Sequence, residues 1–547
     1  MPISSLASEA FTPEEKEVLS RFFTNVDRPV FGLKNLPEVV KGALFARYSR
    51  SPKSIRRLFL DEFYVREEGA AGSPAIPLNE TDESSSARAE QLYERVFNQY
   101  GDDSVAQLGG AHIACENASN VLTKILERGR LAAYLEQSTR YIRYDKKVDG
   151  SYRYRTPAEI ENSALRDHYE NVMELLFDSY ARLLADLLPW LEERFPKTAD
   201  VSPGVWRATI NAKACDIARG LLPAATVANL GIFASGQALE MLLMRLFADP
   251  LEESREYGRL LLTELRKMVP SFMRRVDEEH RGKTWSRYFA DNTAAMESIA
   301  SAYNIPARST DEVTLVDWDR EHGEDKIIAA ALYESSHTGD ADLLPFVSTL
   351  SEEEKDRIFD AYVGKRTNRR HKPGRAFERI GYRFDVLSDY GGFRDLQRHR
   401  MLTIEWQRLT TSHGYVTPGE VADLGQHTEP WHRAMAEART LYDRLVKEVG
   451  AQVAQYAVPF AYRLRFMLQM NAREAMHLIE LRSQRQGHPN YRRICQQMHR
   501  LIRDVAGHHR IAGAMQFVDH DEYDLERLEA ERHAENRARQ AVQSERG

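Results

Sequence analysis

The chain has 547 residues, more than one hydrophobic core usually serves, so at least two domains are expected. Its composition, with 42% hydrophobic and 10% aromatic residues, is that of a globular protein and excludes a largely disordered chain. The formal net charge of -7 argues against binding to nucleic acid or a membrane surface through overall charge, so neither partner is expected.

Two helix starts can be read directly from the residues. Thr12-Pro13-Glu14-Glu15 places a capping Thr before a Pro at the first helical position, with a Glu three residues after the cap. Ser351-Glu352-Glu353-Glu354 repeats the pattern without the Pro. Between them, residues 70–86 are rich in Gly, Pro, Ser and acidic residues, which indicates a surface insertion.

Long segments with helical periodicity dominate the rest of the chain, notably residues 168–194, 251–273 and 433–462. The apolar stretch 231–248 is expected to be a buried helix, because Glu240 and Arg245 interrupt it and argue against a membrane span. A short β-like run covers Val313 to Val316. We therefore expect an α+β fold in which helix predominates.

The cysteines and histidines give no sign of a disulfide framework or a metal site. Three cysteines, Cys115, Cys215 and Cys495, are far apart and form no CxxC pair. The pair His508-His509 has no partner at a ligand spacing, so no metal is expected. The first residues lack the charged and apolar regions of a signal peptide, so a cytoplasmic location is expected.

One region occurs twice in the chain, and each copy retains what the other has lost. Aligned on their arginines, residues 128–141 and the segment beginning at Arg398 are two partly degenerate versions of the pattern R-H-R-x-x-S-x-N-E-x-S-x-R. The second copy keeps Arg398-His399-Arg400, and the first keeps Glu136, Ser138 and Arg140. The repeat is too long for a solenoid and indicates a fused pair of homologous domains.

A second motif follows each copy. The later half contains Asn471-Ala472-Arg473-Glu474-Ala475-Met476-His477-Leu478-Ile479-Glu480-Leu481-Arg482, in which Arg473 and His477 share one helical face. The earlier half contains Ala218-Arg219-Gly220-Leu221-Leu222-Pro223, whereas the later half has Gln455 at the position of Arg219. Here the earlier half keeps an arginine that the later half has lost.

These motifs resemble those of the flavin-dependent thymidylate synthases. The resemblance implies two fused domains of that family forming a helix-rich α+β pseudo-dimer. Residues 1–274 would be the first repeat, with the nucleotide-phosphate side retained, and 275–310 a linker. Residues 311–518 would be the second repeat, with the flavin-side motifs retained, and 519–547 a charged tail.

The same resemblance implies the reductive methylation of dUMP to dTMP. FAD would be the cofactor, with methylenetetrahydrofolate and NADPH as co-substrates, at a composite site between the two halves. A homodimer of the fused chain would mimic the homotetramer of the family.

Residue roles follow from the same motifs. In the family the Arg that Arg482 matches contacts the uracil and favours its anionic form, so Arg482 would be catalytic as well as substrate-binding. Guanidinium groups and a Ser hydroxyl suit a phosphate dianion. The implied substrate-binding residues are Gln137, Ser138, Arg140, Arg219 and Arg482. The implied cofactor-binding residues are Glu136, Arg398, His399, Arg400, Asn471, Arg473 and His477.

Two other functions stay open. Departures from the family pattern, with Asp102 and Gly129 in place of histidines and Arg379 after Glu378, allow flavin-dependent modification of another pyrimidine nucleotide. A non-catalytic nucleotide-binding or scaffold protein would result if both copies had decayed. Under that interpretation Arg398 to Arg400 is a solvated basic stretch, and His477 is a hydrogen-bonded core residue.

Overall fold

The computed structural model describes residues 10–27, 31–36, 38, 40–41, 44–45, 53–64, 107–303, 305–306 and 311–544. Asp102 and the predicted insertion at 70–86 lie outside the described residues. Within the described residues the fold is α+β and helix-rich, with two small sheets, as the sequence predicted.

The strands are β1 (Gly110–Ser119), β2 (Ala132–Glu136), β3 (Val227–Ser235), β4 (Val313–Trp318), β5 (Gly381–Asp389), β6 (Thr403–Trp406) and β7 (Arg463–Asn471). The helices of the first half are α1 (Pro13–Phe22), α2 (Ile55–Leu58), α3 (Asn120–Leu126), α4 (Ala158–Glu161), α5 (Arg166–Arg194), α6 (Pro203–Ala218), α7 (Gly236–Ala248), α8 (Glu252–Met268), α9 (Pro270–Met273) and α10 (Gly282–Ala302). Those of the second half are α11 (Gly323–Tyr333), α12 (Asp340–Ser348), α13 (Glu352–Val363), α14 (Tyr390–Leu396), α15 (Gly419–Asp423), α16 (Thr428–Glu448), α17 (Ala451–Ala454), α18 (Ala472–Arg482), α19 (Pro489–Asp504), α20 (His509–Ala514) and α21 (Leu528–Ser544).

The two halves share one succession of elements. A strand leads into a short helix (β1–α3 and β5–α14), then a short strand, a long helix, a 3-10 turn, a strand and a further helix. The 3-10 turns are Arg219–Leu221 and Gln455–Ala457. The first sheet has the order β1-β3-β2, and the second has the matching order β5-β7-β6 with β4 added at its edge. The internal repetition seen in the sequence is therefore repeated in the topology.

The second sheet is antiparallel throughout. Strands β5 and β7 pair along their whole length, from Gly381 opposite Asn471 to Asp389 opposite Arg463. Alternate residues Tyr382, Phe384 and Val386 are buried, as expected for a strand with one face against helices. Helix α19 packs on this sheet and so fixes the start of α14, which follows β5 directly.

The chain divides into two compact units. One comprises the described residues of Met1–Cys115, Leu131–Leu135 and Leu230–Asn304, and the other those of Glu116–Arg130, Glu136–Asn229 and Ile305–Gly547. All twelve residues predicted to line the site belong to the second unit. In the first unit, α8 and α10 both pack against α7.

Within the second unit, corresponding segments of the two halves contact each other. The long helices α5 and α16 pack together. After the two 3-10 turns, the backbone N–H of Ala224 donates to the carbonyl of Val458 and that of Phe460 donates to the carbonyl of Leu222, each at 2.9 Å, around a bridge between Pro223 and Pro459. The contact is reciprocal, the pattern that a local two-fold relation produces.

Several local predictions can now be compared with the structure. Both capping boxes are present, at Thr12 and Ser351, and the β-like run is part of β4. The prediction of one helix over 231–248 was wrong at its start, because residues up to Ser235 belong to β3 and the helix begins at Gly236. The helix predicted over 433–462 was too long, since it ends at Glu448 and Gly450 has a φ of 98°. Among the described residues, no helix has both the length and the apolar character of a membrane span.

Candidate functional site

A buried carboxylate at the end of β2 brings the two halves together. The side chain of Glu136 is 0% exposed, and its Oε1 lies 2.9 Å from a guanidinium nitrogen of Arg394. Its Oε2 accepts from Arg398 at 3.2 Å and from Lys124 at 3.3 Å. Burial alone would raise the pKa of Glu136, but Arg394, Lys124 and Arg398 outweigh it and hold the pKa below its ordinary value. The carboxylate is therefore charged, and it ties the first motif copy to the second.

The turn after β2 carries an arginine that is already paired. Arg140 donates from Nε and Nη2 to the two carboxylate oxygens of Asp216, at 2.7 and 2.5 Å, and from Nη1 to the hydroxyl of Tyr491 at 3.0 Å. The side chains of Arg140 and Asp216 are 8% and 6% exposed. Burial raises the pKa of Asp216, yet Arg140 lowers it by more, so the net pKa is well below normal. Such a bidentate pair is both strong and geometrically fixed.

Arg219, the first residue of its 3-10 turn, is in a different situation. It is 3% exposed, and within the described part of the chain its buried Nη2 has no hydrogen-bond partner. Burial lowers the pKa of Arg219, although Asp216, Asp395 and Asp389 counteract this. A buried guanidinium donor without an acceptor is costly in a native protein and indicates a place for a ligand oxygen or a water.

Arg482 is held by a chain of hydrogen bonds. Its Nε donates to Nε2 of His399 at 2.9 Å, so that nitrogen carries no proton. The Nδ1–H of His399 then donates to Glu474 at 3.0 Å, and Nδ1 of His477 donates to the other oxygen of Glu474 at 3.1 Å. Burial lowers the pKa of His399 to about 4, and the two histidines lower that of Glu474 to about 2 against the effect of its burial. The imidazole of His399 is therefore neutral, with its tautomer fixed on both sides.

His399, Glu474 and His477 also have the side-chain types of metal ligands. The ligand atoms of His399, Glu474 and His477 lie within 4.8 Å of one another. The hydrogen bonds already account for this spacing, and the guanidinium of Arg482 occupies the other nitrogen of His399. The arrangement serves to orient Arg482.

Sequence reasoning missed the acidic group at the centre of the cluster. Asp395 lies 3.8 Å from Nη1 of Arg482, and its side chain is 14% exposed. Burial raises its pKa, but Arg398, Arg482, Arg140 and Arg219 together lower it to about 2. Its position three residues before Arg398 was the available signal. Asp216 and Arg394 were missed as well, since neither belongs to a motif.

The remaining predicted residues have other contacts. Asn471 caps α18 by accepting from the backbone N–H of Glu474, and Arg473 donates to the carbonyl of Pro373 at 2.9 Å. Arg400 is exposed. The Ser138 hydroxyl accepts from the backbone N–H of Arg140 at 3.3 Å, and Gln137 accepts from Arg153 at 3.4 Å. The structure thus brings Glu136, Arg140, Arg219, Arg398, His399 and Arg482 into one cluster and leaves Arg400 at the surface.

A cavity of about 270 Å³ opens beside this cluster. Arg219 and Trp431 both line it, and the indole N–H of Trp431 is a second buried donor without a partner in the described residues. Asp216, Phe460 and His488 are among the other lining residues. A cavity lined by two residues that each have a buried donor without an acceptor suits an acceptor-rich ligand.

One protein family and two relatives match most of the chain. The family described as "Thymidylate synthase complementing protein" matches residues 60–271 and 314–507. A UPF0159 protein of Chlamydia muridarum (strain MoPn / Nigg) is 39% identical over 525 residues, covering 95% of this chain and 98% of the relative. A UPF0159 protein of Thermoplasma acidophilum is 33% identical over 518 residues, covering 90% and 97%.

Among solved structures, a UMP/dUMP methylase PolB from Streptomyces cacaoi, bound with 5-Br dUMP, is 18% identical. It covers 37% of this chain and 93% of that chain, with a TM-score of 0.29, too low to define a shared fold. The family match and the relatives cover far more of the sequence. The chain therefore belongs to the thymidylate synthase complementing protein family, the flavin-dependent thymidylate synthases, as a tandem-duplicated member.

Proposed function

We propose that the protein is a flavin-dependent enzyme of the thymidylate synthase type. It would methylate dUMP reductively to dTMP, with FAD as cofactor and methylenetetrahydrofolate and NADPH as co-substrates. The observation that carries this proposal is the buried, unpartnered guanidinium of Arg219 beside Arg140, Arg398 and Arg482, residues drawn from both halves. We further propose that the halves form a pseudo-dimer, which the reciprocal contact at Pro223 and Pro459 supports.

The nucleotide phosphate would bind at Arg219. Its Nη2 is the buried donor that needs an acceptor, and a phosphate oxygen supplies a charged one. Arg140 would act mainly through position, because Asp216 already holds two of its nitrogens. The Ser138 hydroxyl can accept from the Arg140 backbone and still donate to a phosphate.

Arg482 would face the pyrimidine. His399 accepts from its Nε, and Asp395 lies 3.8 Å from its Nη1, so the guanidinium plane is fixed. A fixed cation beside the uracil would stabilise negative charge on the ring during carbon transfer. Because His399 is neutral, it orients Arg482 without adding a second charge.

The residues available to FAD are those with polar groups that are exposed or partly exposed. The side chains of Arg398 and Arg473 are 34% and 38% exposed, Arg400 is exposed, and His477 is 32% exposed. These groups fit the pyrophosphate and ring edges of a dinucleotide. His399 and Asn471 would contribute indirectly, since their polar atoms are used within the chain. When bound, FAD would supply the reducing chemistry.

The first experiment is the visible absorption spectrum of the purified protein, alone and after addition of FAD and dUMP. We expect a flavin band that dUMP perturbs, and its loss in Arg398→Ala. Arg219→Ala should keep the flavin band and weaken dUMP binding at least tenfold. The matched control is Arg194→Ala, which removes an exposed arginine of the same unit. Absence of any flavin band under all these conditions would refute the proposal and favour a non-catalytic nucleotide-binding or scaffold role.

One observation favours modification of another pyrimidine nucleotide as the second candidate. The carboxylate of Asp395 lies beside Arg482 and can only accept hydrogen bonds at its low pKa of about 2. Cytosine carries an exocyclic amine that donates, whereas uracil has a carbonyl there. Tighter binding of dCMP than of dUMP, reversed by Asp395→Asn, would support this candidate.

A further inference from the structure

Helix α10 leaves a row of apolar side chains uncovered in its unit. The exposed fractions are 50% for Trp285, 61% for Tyr288, 61% for Met296, 50% for Ile299 and 68% for Tyr303, which follows the helix. Gly282 is the only buried residue of this helix. Contiguous apolar surface of this kind on a soluble protein marks an interaction site.

The exposed row is distinct from the side on which α10 packs. The least exposed residues, Gly282, Ser286, Phe289, Ala290 and Glu297, share one side of the helix, which as a whole packs against α7. A Cβ on Gly282 would come within 1.8 Å of the Val276 carbonyl oxygen, so the backbone is tightly seated there. The covered side is therefore formed mainly by the first nine residues, and from Asp291 to Ala302 only Glu297 is partly covered.

The exposed row is symmetric about its centre. Asn292 occupies the middle, Tyr288 and Met296 lie four residues to either side, and Trp285 and Ile299 lie seven residues to either side. If two such helices cross antiparallel at Asn292, Tyr288 of one copy lies at the height of Met296 of the other, and Trp285 at the height of Ile299. Larger and smaller side chains then alternate, and the two Asn292 side chains meet.

We propose that α10 is the interface through which two copies of this chain associate, as an antiparallel pair centred on Asn292. A row that is complementary to itself under a two-fold rotation suits a second copy better than an unrelated partner. A single polar residue in the middle of an apolar seam fixes the register of the pair.

The area available is sufficient for such a dimer. Five residues exposed by half or more contribute on the order of 100 Å² each, given about 150–250 Å² for a whole aromatic side chain. Each copy would bury about 500 Å² and the pair about 1,000 Å², the lower bound for a specific interface. Helix α10 also lies outside both ranges that match the family, so the surface belongs to the segment joining them.

The interface does not depend on the proposed chemistry and can be tested by mass. We expect sedimentation velocity at about 10 μM to give twice the chain mass of 62.8 kDa. The double variant Tyr288→Glu/Met296→Glu should sediment as a monomer, while Ser298→Glu, on the exposed polar side of the same helix, should stay dimeric. Circular dichroism of all three checks that folding is retained. A monomeric wild type, or a double variant that stays dimeric, would overturn the proposal.

Crosslinking tests the crossing point. Asn292→Cys should form a disulfide-linked dimer on mild oxidation, and Ser298→Cys should not, because Ser298 lies outside the proposed contact row. The three native cysteines are buried and should not contribute crosslinks. Mixing Trp285→Cys with Ile299→Cys should give a mixed crosslink only if the helices are antiparallel. Crosslinking of Trp285→Cys with itself, and none in the mixture, would overturn the antiparallel arrangement.

Discussion

Replacing Arg140 or Arg219 by methionine, which has a similar length and no charge, should change the free energy of unfolding in opposite directions. Arg140 is paired with Asp216 by two hydrogen bonds, and their side chains are 8% and 6% exposed. Arg140→Met would leave the Asp216 carboxylate buried and unpaired, which costs about 3–5 kcal/mol of unfolding free energy. Arg219→Met removes a buried guanidinium with an unpartnered Nη2, so we expect a gain of about 1–3 kcal/mol.

The pKa directions support these opposite signs. The pKa of Arg219 is lowered, mainly by burial, so its surroundings disfavour the charged form. The pKa of Arg140 is raised, because Asp216 outweighs the cost of burial. The charge of Arg219 therefore lowers the stability of the ligand-free protein, as is common for residues that a ligand is needed to pair with.

The assay is urea unfolding of the ligand-free protein, followed by tyrosine and tryptophan fluorescence. With a urea dependence of about 3 kcal/mol per M, the midpoint should fall by about 1 M or more in Arg140→Met. It should rise by roughly 0.3–1 M in Arg219→Met. With saturating dUMP, the wild type should gain stability and Arg219→Met should not. A loss of stability in Arg219→Met, or no loss in Arg140→Met, would refute the assignment of a structural role to one and a ligand role to the other.

Three further outcomes are expected. Because the pKa of His399 is about 4 when folded and near 6.5 when unfolded, its contribution to stability is complete above pH 6.5. This contribution is lost as the pH falls towards 4, and urea titrations should show a loss of about 2 kcal/mol in unfolding free energy between pH 6.5 and 5. In a His399→Phe variant the unfolding free energy should depend less on pH. Gly220→Ala should lower the thermal midpoint, since the new Cβ would lie 2.7 Å from the Trp431 ring; an unchanged midpoint would mean that the ring can move away. Gly282→Ala should disrupt the start of α10 more severely, because the obstacle there is the backbone carbonyl of Val276, and a fully helical, equally stable variant would contradict this.

The repeated motifs assigned Glu136 and Arg398 to one site, and in the structure their side chains are in contact. The capping boxes and β4 were also predictable, because each depends on a few neighbouring residues. Asp216 and Arg394 were not, since no local pattern identifies an acid or base whose partner is encoded far away in the chain, 76 residues away in the Arg140–Asp216 pair. Asp395 lies three residues before Arg398, but that spacing alone does not distinguish it from an ordinary surface ion pair on a helix. The strand over Val227–Ser235 was misread because a short apolar run fits a buried helix as well as a strand.

The ion pairs of Glu136 also have a consequence for synthesis, because they cannot all form until the second half of the chain has been made. Arg398 is encoded 262 residues after Glu136, and at about 5–20 residues per second the ribosome needs on the order of 10–50 s to reach it. During that time Lys124 is the one cation of the first half that pairs with the carboxylate among the described residues, so the nascent first half must keep this region hydrated or shielded. Release of the first half alone, by a premature stop or by proteolysis near residue 300, would leave Glu136 without Arg394 and Arg398 and should yield a chaperone-bound or degraded fragment.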